Sequence, residues 1–172
     1  MCGIVGYVGS RQAAPILLDG LRRLEYRGYD SAGMAVCGPA GLQVYKTPGR
    51  LAALAELTAD GAALTGTVGV GHTRWATHGE PNQVNAHPQT SGDGRFAVVH
   101  NGIIENFARL KAQLIQQGYT FRSETDTEVV AQLLSFYYDR CGDVFEAVNS
   151  MLSAVEGAYA LGSVCADTLA RV

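Results

Sequence analysis

Two periodicities alternate along this chain. Ile4 to Val8 is β-branched and aromatic between glycines, which predicts a buried strand. Over Gln12 to Tyr26, Ala14, Leu17, Leu18, Leu21 and Leu24 recur on one face at helical spacing, and Arg22, Arg23 and Glu25 fall mostly elsewhere. Ser31 to Cys37 and Leu42 to Thr47 read as a strand pair joined by the turn-forming Gly38-Pro39-Ala40-Gly41. An Ala/Leu-rich helix is expected around Leu51 to Leu57. Thr67 to Trp75 is expected as a strand with small residues at alternate places. Between Ala76 and Arg95 periodicity is lost. Such a long loop in a compact domain is more often functional than idle. Phe96 to His100 predicts another strand, followed by helices over Phe107 to Gln117, Asp126 to Tyr138 and Phe145 to Leu152. Ala158 to Ala166 returns to strand character.

This order predicts an α+β layered fold. Alternating helix and strand also fits a parallel doubly wound sheet, but the hairpin near Gly38-Gly41 and the Gly-broken strands favour antiparallel pairing. Residues 168–172 look like a strand entered and then cut, so the chain is expected to be incomplete at its C-terminus.

Composition narrows the class. The chain has 172 residues, 47% hydrophobic and 17% charged, which suits one globular domain with a real core. A net charge of -3 without any Lys/Arg run leaves no electrostatic footprint for nucleic acid. No stretch approaches the roughly 20 apolar residues of a membrane span, and the amino terminus lacks the basic region of a signal peptide. The cytoplasm is the expected compartment. Cys2, Cys37, Cys141 and Cys165 are widely separated and suggest neither a disulfide framework nor a zinc knuckle.

Cys2 concentrates the most chemistry. Removal of Met1 would leave one residue carrying both a thiol and a free α-amine. A free thiol titrates near ~8.5 and an α-amine near ~7.7–8.0, so a neutral amine can accept the thiol proton at physiological pH. It can then return that proton to a leaving group. By itself, Cys2 reads more readily as a buried small residue opening a strand.

Six separated segments change that balance: CGIVGYVG (2–9), LRRLEYRGYDSAGMAV (21–36), GHTRWATHGEP (71–81), NAHP (85–88), HNGIIEN (100–106) and SETDTEV (123–129). Together, and in this order, they resemble the class II glutamine amidotransferases, which are N-terminal nucleophile hydrolases. The LEYRGYD and HTRWATH wording is similar to the glutaminase domain of the glutamine–fructose-6-phosphate aminotransferase branch. The phosphoribosyl branch typically has Gln-His-Arg-Gly-Gln-Asp and a tyrosine where Trp75 stands. The resemblance spans essentially all of the chain. It implies a four-layer αββα sandwich of mostly antiparallel sheets, here a truncated glutaminase domain over residues 1–172 without the sugar-phosphate isomerase domains. It further implies glutamine as substrate, no cofactor, fructose 6-phosphate as acceptor through the absent domains, and a homo-oligomer when full length. A domain serving another acceptor (phosphoribosyl pyrophosphate or aspartate) and a non-catalytic fragment stay open.

The resemblance also implies site residues. Cys2 is the nucleophile, and Asn101 and Gly102 supply the oxyanion donors; Asn101-Gly102 equally reads as a hairpin turn. Arg74 pairs with the α-carboxylate of glutamine, which calls for a bidentate partner. Asp126 accepts from the α-ammonium, although Thr125-x-x-Glu128 also reads as a capping box with Asp126 in the first helical turn. Trp75, Thr77 and His78 belong to a loop that folds over substrate. Arg27 orders the nucleophile, or is a helix C-terminal cation, with Gly28 as C-cap in either case. His72, His87 and His100 form no compact metal set and read as structural. Cys37, Cys141 and Cys165 read as ordinary buried or partly buried thiols.

Overall fold

The structure, a computed structural model, describes residues 2–28, 30–75 and 80–167. Its elements run β1 (Gly3–Val8), α1 (Ala13–Leu24), a 3-10 turn (Glu25–Arg27), β2 (Ser31–Gly38), β3 (Gly41–Pro48), α2 (Leu51–Leu57), β4 (Val68–Arg74), β5 (Gln89–Thr90), β6 (Phe96–Ile104), α3 (Phe107–Gln116), α4 (Thr127–Cys141), α5 (Val144–Ala154) and β7 (Gly157–Cys165). They form a four-stranded sheet in the order β1-β4-β2-β3 and a three-stranded sheet in the order β5-β6-β7. Among the described residues every pairing is antiparallel, so the parallel alternative fails.

Strand alternation sorts the core into three slabs. From β2, Ala32, Met34 and Val36 pack with Leu17, Leu18, Leu21, Leu51 and Leu54 of α1 and α2. The opposite face sends Ala35 and Cys37 to meet Val70 of β4, Ala97 and Val99 of β6 and Val164 of β7. The other face of β6 sends Phe96 and Val98 against Leu110, Leu114, Val129, Val130, Leu133, Leu134 and Met151 of α3, α4 and α5. Helix, sheet, sheet and helix stack in that order, and the fold is α+β, a four-layer αββα sandwich.

The small alternate residues of β4 have a packing cause. A Cβ on Gly69 or Gly71 would lie 2.9 Å from Leu17 Cδ1 or Leu21 Cδ1, because α1 lies directly on that strand.

Two local expectations are corrected. Asn101-Gly102 is not a hairpin turn: β6 runs through it to Ile104, paired residue by residue with β7 up to Ile104↔Gly157. The long-range ladder outweighs the local turn propensity. Gly102 takes φ +124° within the strand, where a Cβ would meet Ala158 O at 2.2 Å. The capping box at Thr125 also does not form. Glu128 accepts instead from Arg122 N (2.9 Å), Ser123 N (2.6 Å) and Ser123 Oγ (2.7 Å), which satisfies a buried carboxylate.

The described part of the long loop, residues 80–95, is tied to the sheets. Lys46 Nζ on β3 donates to Val84 O, Ala86 O and Pro88 O at 3.1, 3.0 and 3.3 Å. Burial pushes the Lys46 ammonium down to about 8, while these carbonyls engage its donors.

Between the sheets the apolar slab gives way to three buried histidines. His72 and His87 stack with ring centroids 4.5 Å apart, and His87 lies 6.5 Å from His100. Thr127 Oγ1 touches both His87 Nε2 (2.7 Å) and His100 Nδ1 (2.9 Å), so its single proton serves one ring while the other ring donates to it. Burial holds His72 down to about 4 and His87 well below its ordinary value, with neighbouring positive charge adding to the effect on both.

These two rings link folding to pH. Below about pH 6.5 the unfolded chain binds protons at both histidines that the folded chain refuses. Their contribution is therefore complete above about pH 6.5 and is lost as pH falls toward 4, at up to about 1.4 kcal/mol per pH unit for each ring. Thermal unfolding from about pH 7.5 down to about pH 4.5 should show this fall, and His87→Gln should make it shallower. Identical slopes for the two proteins would contradict a neutral buried His87.

Candidate active site

Antiparallel pairing of β1 with β4 places Gly3 opposite Thr73 and thereby brings Cys2 to the Arg74–Trp75 step. Trp75 N donates to Cys2 Sγ at 3.2 Å, and the sulfur lies 3.5 Å from Trp75 O. The backbone N–H sets a positive partial charge beside the sulfur. The Arg74–Trp75 segment is fixed in turn from the side of the 3-10 turn. Asp30 N donates to Arg74 O at 3.1 Å, and Gly28 sits so close that a Cβ there would lie 2.8 Å from Arg74 C. Gly28 does end the 3-10 turn, with its N–H on Glu25 O at 3.1 Å, but in an extended conformation rather than a left-handed cap. The side chain of Arg27 lies outside the described residues, as do Thr77 and His78.

Asn101 reaches this point from the second sheet. On β6, Ala97 and Val99 face the first sheet, and Asn101 continues the same period-two row. Its Nδ2 donates to Cys2 O at 3.2 Å and its Oδ1 lies 2.9 Å from His72 Nε2. The structure therefore brings Cys2, Trp75 and Asn101 together. Gly102 follows Asn101 in the same strand, and its positive φ and tight surroundings require a glycine there for reasons of packing.

Arg74 ends β4 on the face that carries Val70 and His72. It is 3% exposed, and its Nη1 lies 3.5 Å from Glu80 O. Its charge is near enough to His72 and His87 to oppose their protonation. Asp126, 5% exposed, stands at the start of α4. It turns away from the helix: Oδ2 accepts from Ile104 N at 2.9 Å, and Oδ1 is 3.8 Å from His100 Nδ1. Buried charges of opposite sign thus flank the histidine layer, a composition suited to a ligand carrying both charges. Trp75 is 50% exposed and so is not a core residue.

Of the remaining thiols, Cys37 and Cys165 are buried, and burial with the Cys165 neighbour pushes Cys37 up to about 11. Cys141 is exposed at the end of α4, contrary to the expectation of a buried or partly buried thiol, because the helix ends in solvent at Gly142. Among the described residues no group of three or more His, Cys, Asp or Glu is arranged to hold a metal ion.

Two contacts escaped the reading of the sequence. The Trp75 N–H on the sulfur is a backbone interaction that leaves no trace in residue identity. His72 beneath Asn101 was legible only as the residue two before Arg74, and so on the same strand face.

The sequence pattern of the family described as glutamine amidotransferase domain matches residues 49–163. A glutamine–fructose-6-phosphate aminotransferase (isomerizing) of Caldanaerobacter subterraneus subsp. tengcongensis is 58% identical over 167 residues, 97% of this chain and 27% of that protein. The protein of the same name from Thermus thermophilus is 60% identical over 161 residues, 94% of this chain and 26% of the relative. The chain spans about a quarter of the length of these curated relatives. Among solved structures, the glutamine phosphoribosylpyrophosphate amidotransferase of B. subtilis, complexed with ADP and GMP, matches with a TM-score of 0.79 at 29% identity. That match covers 96% of this chain and 35% of the other. In pattern, identity and fold alike, the chain belongs to the class II glutamine amidotransferase domain family.

Proposed function

We propose that this domain hydrolyses glutamine to glutamate and ammonia, with Cys2 as nucleophile once Met1 has been removed. The observation that carries the reading is the Asn101 carboxamide, whose NH2 is presented to Cys2 while the Trp75 N–H rests on the sulfur. A donor held beside a nucleophile, in a site whose polar groups are already fixed, is what an acyl transfer through an oxyanion requires.

In this mechanism the Cys2 α-amine takes the thiol proton and the sulfur adds to the glutamine amide carbon. The carbonyl π electrons move to oxygen, where Asn101 Nδ2 and the Gly102 N–H receive the negative charge. The C–N bond then breaks, and the nitrogen leaves as ammonia with the proton held by the amine. Water adds to the γ-glutamyl thioester, the C–S bond breaks, and glutamate leaves while the thiol is restored. Arg74 pairs with the α-carboxylate and Asp126 with the α-ammonium. Trp75, Thr77 and His78 fold over the substrate, and Arg27 orders the nucleophile.

The names of the relatives support fructose 6-phosphate as the acceptor of the ammonia in the complete protein. Phosphoribosyl pyrophosphate is the weaker reading. The solved structure named for that substrate shares 29% identity, against 58% and 60% for the sugar-aminating relatives. A cytoplasmic setting and a homo-oligomeric full-length protein belong to the same reading.

Glutamine hydrolysis by the full-length protein tests the nucleophile. Cys2→Ala should lower kcat by about 10³-fold or more, and turnover within a few-fold of the parent would exclude Cys2. Asp126→Asn keeps an oxygen for the Ile104 N–H and removes the charge. It should cost about 10- to 100-fold in kcat/KM, mostly through KM, and an unchanged KM would remove Asp126 from the substrate clamp.

A further inference from the structure

We propose that His72 is a positioning residue for the glutaminase step, its Nε2–H locking the Asn101 carboxamide with the NH2 turned toward Cys2. The inference rests on the oxyanion role given to Asn101 above and adds the group that enforces it.

An asparagine amide has two nearly isosteric orientations, and only one offers a donor to the nucleophile. Two contacts choose between them here. His72 Nε2 stands 2.9 Å from Asn101 Oδ1 and 3.1 Å from His100 O. The carbonyl can only accept, so the imidazole nitrogen facing it carries the proton, and the same proton side favours the Asn101 oxygen. At the other end, Asn101 Nδ2 donates to Cys2 O at 3.2 Å. Rotating the amide by half a turn would set N–H against N–H at His72 and oxygen against oxygen at Cys2. Both ends oppose the flip.

The imidazole is itself held. Its ring is 0% exposed and stacks on His87 at 4.5 Å, and His87 Nε2 is bound at 2.7 Å to Thr127 Oγ1 on α4. His72 Nδ1 has no hydrogen-bond partner among the described residues. An unprotonated Nδ1 is less costly to leave so than an N–H, in keeping with a proton on Nε2. Burial holds the ring down to about 4, so it stays neutral, in this one donor form, at physiological pH. His72 projects from β4 of one sheet and Asn101 from β6 of the other, so this hydrogen bond crosses the sandwich. Among the described contacts, His72 reaches Asn101 and the His100 carbonyl and not the Cys2 sulfur. It acts through Asn101.

The test is a double-mutant cycle on glutamine hydrolysis by the full-length protein, with kcat and KM measured separately and folding followed by thermal unfolding. His72→Phe fills the space without a donor and should lower kcat by about 10- to 100-fold while KM moves by only a few-fold. His72→Gln, which keeps an amide N–H of similar reach, should recover most of kcat. Asn101→Ala should cost about 10²- to 10³-fold in kcat, and adding His72→Phe to it should cost nothing more, since the residue to be positioned is gone. Should His72→Phe fail to fold, His72→Asn keeps a polar side chain too short to reach Asn101 and takes its place in the cycle.

A folded His72→Phe with undiminished kcat, beside an impaired Asn101→Ala, would overturn the role of His72 and leave the oxyanion assignment standing. So would losses that multiply in the double variant, which would mark His72 as acting by another route. An Asn101→Ala protein with full kcat would instead overturn the oxyanion assignment on which the inference rests.

Discussion

The hydrogen bonds of β1 to β4 are the constraint on which the site depends. Their register puts Gly3 opposite Thr73, and a slip of one residue would turn Cys2 to the other face of the sheet. That pairing delivers the sulfur to the Trp75 N–H, and it is possible because Gly69 and Gly71 let α1 settle on the strand behind it. Cys2 is thus placed by backbone, at the end of a ladder whose own strength comes from the packing of Leu17, Leu18 and Leu21.

The layer between the sheets does a different job. It is lined by small side chains, Ala35, Val70, Ala97, Val99 and Val164, which keep the two sheets close. At one end of that layer, side chains from both sheets meet. Polar groups replace apolar ones along the same strand faces: Val70 is followed by His72 and Arg74, and Val99 by Asn101. A buried polar layer is costly unless its members satisfy one another. His72 with Asn101, His87 and His100 with Thr127, and Asp126 with the Ile104 N–H meet that requirement in large part. The same low-dielectric surroundings that keep His72 and His87 neutral would strengthen any hydrogen bond offered to a developing oxyanion.

Stability and function draw on the same groups here. Of the two histidines that make folding sensitive to acid, His72 also orients the carboxamide beside Cys2. Glu128, buried, and Lys46, half-buried, hold segments 122–123 and 84–88. The sequence marked Glu128 only as part of a capping box and Lys46 not at all, since a buried ion holding a loop has the same residue identity as a solvated one.

Residue order alone determined the elements and their kind apart from the two-residue β5, which falls in the expected loop, because helical and two-residue periods are local properties. The Leu17–Leu21 stripe of α1, the hairpin over β2 and β3 and the short helix at Leu51–Leu57 all stand where the pattern placed them. The motifs around Cys2, Arg74, Asn101 and Asp126 were likewise enough to point to a glutamine amidotransferase. Tertiary structure decided what depends on partners distant in the chain. It carried β6 through Asn101-Gly102, because β7 offered a full ladder that no local turn could match, and it drew Glu128 away from its capping box to the Arg122 and Ser123 amides. It also turned His72 from a histidine without evident task into the partner of Asn101. That contact spans two sheets and 29 residues of chain, and long-range geometry of this kind has no signature in local sequence.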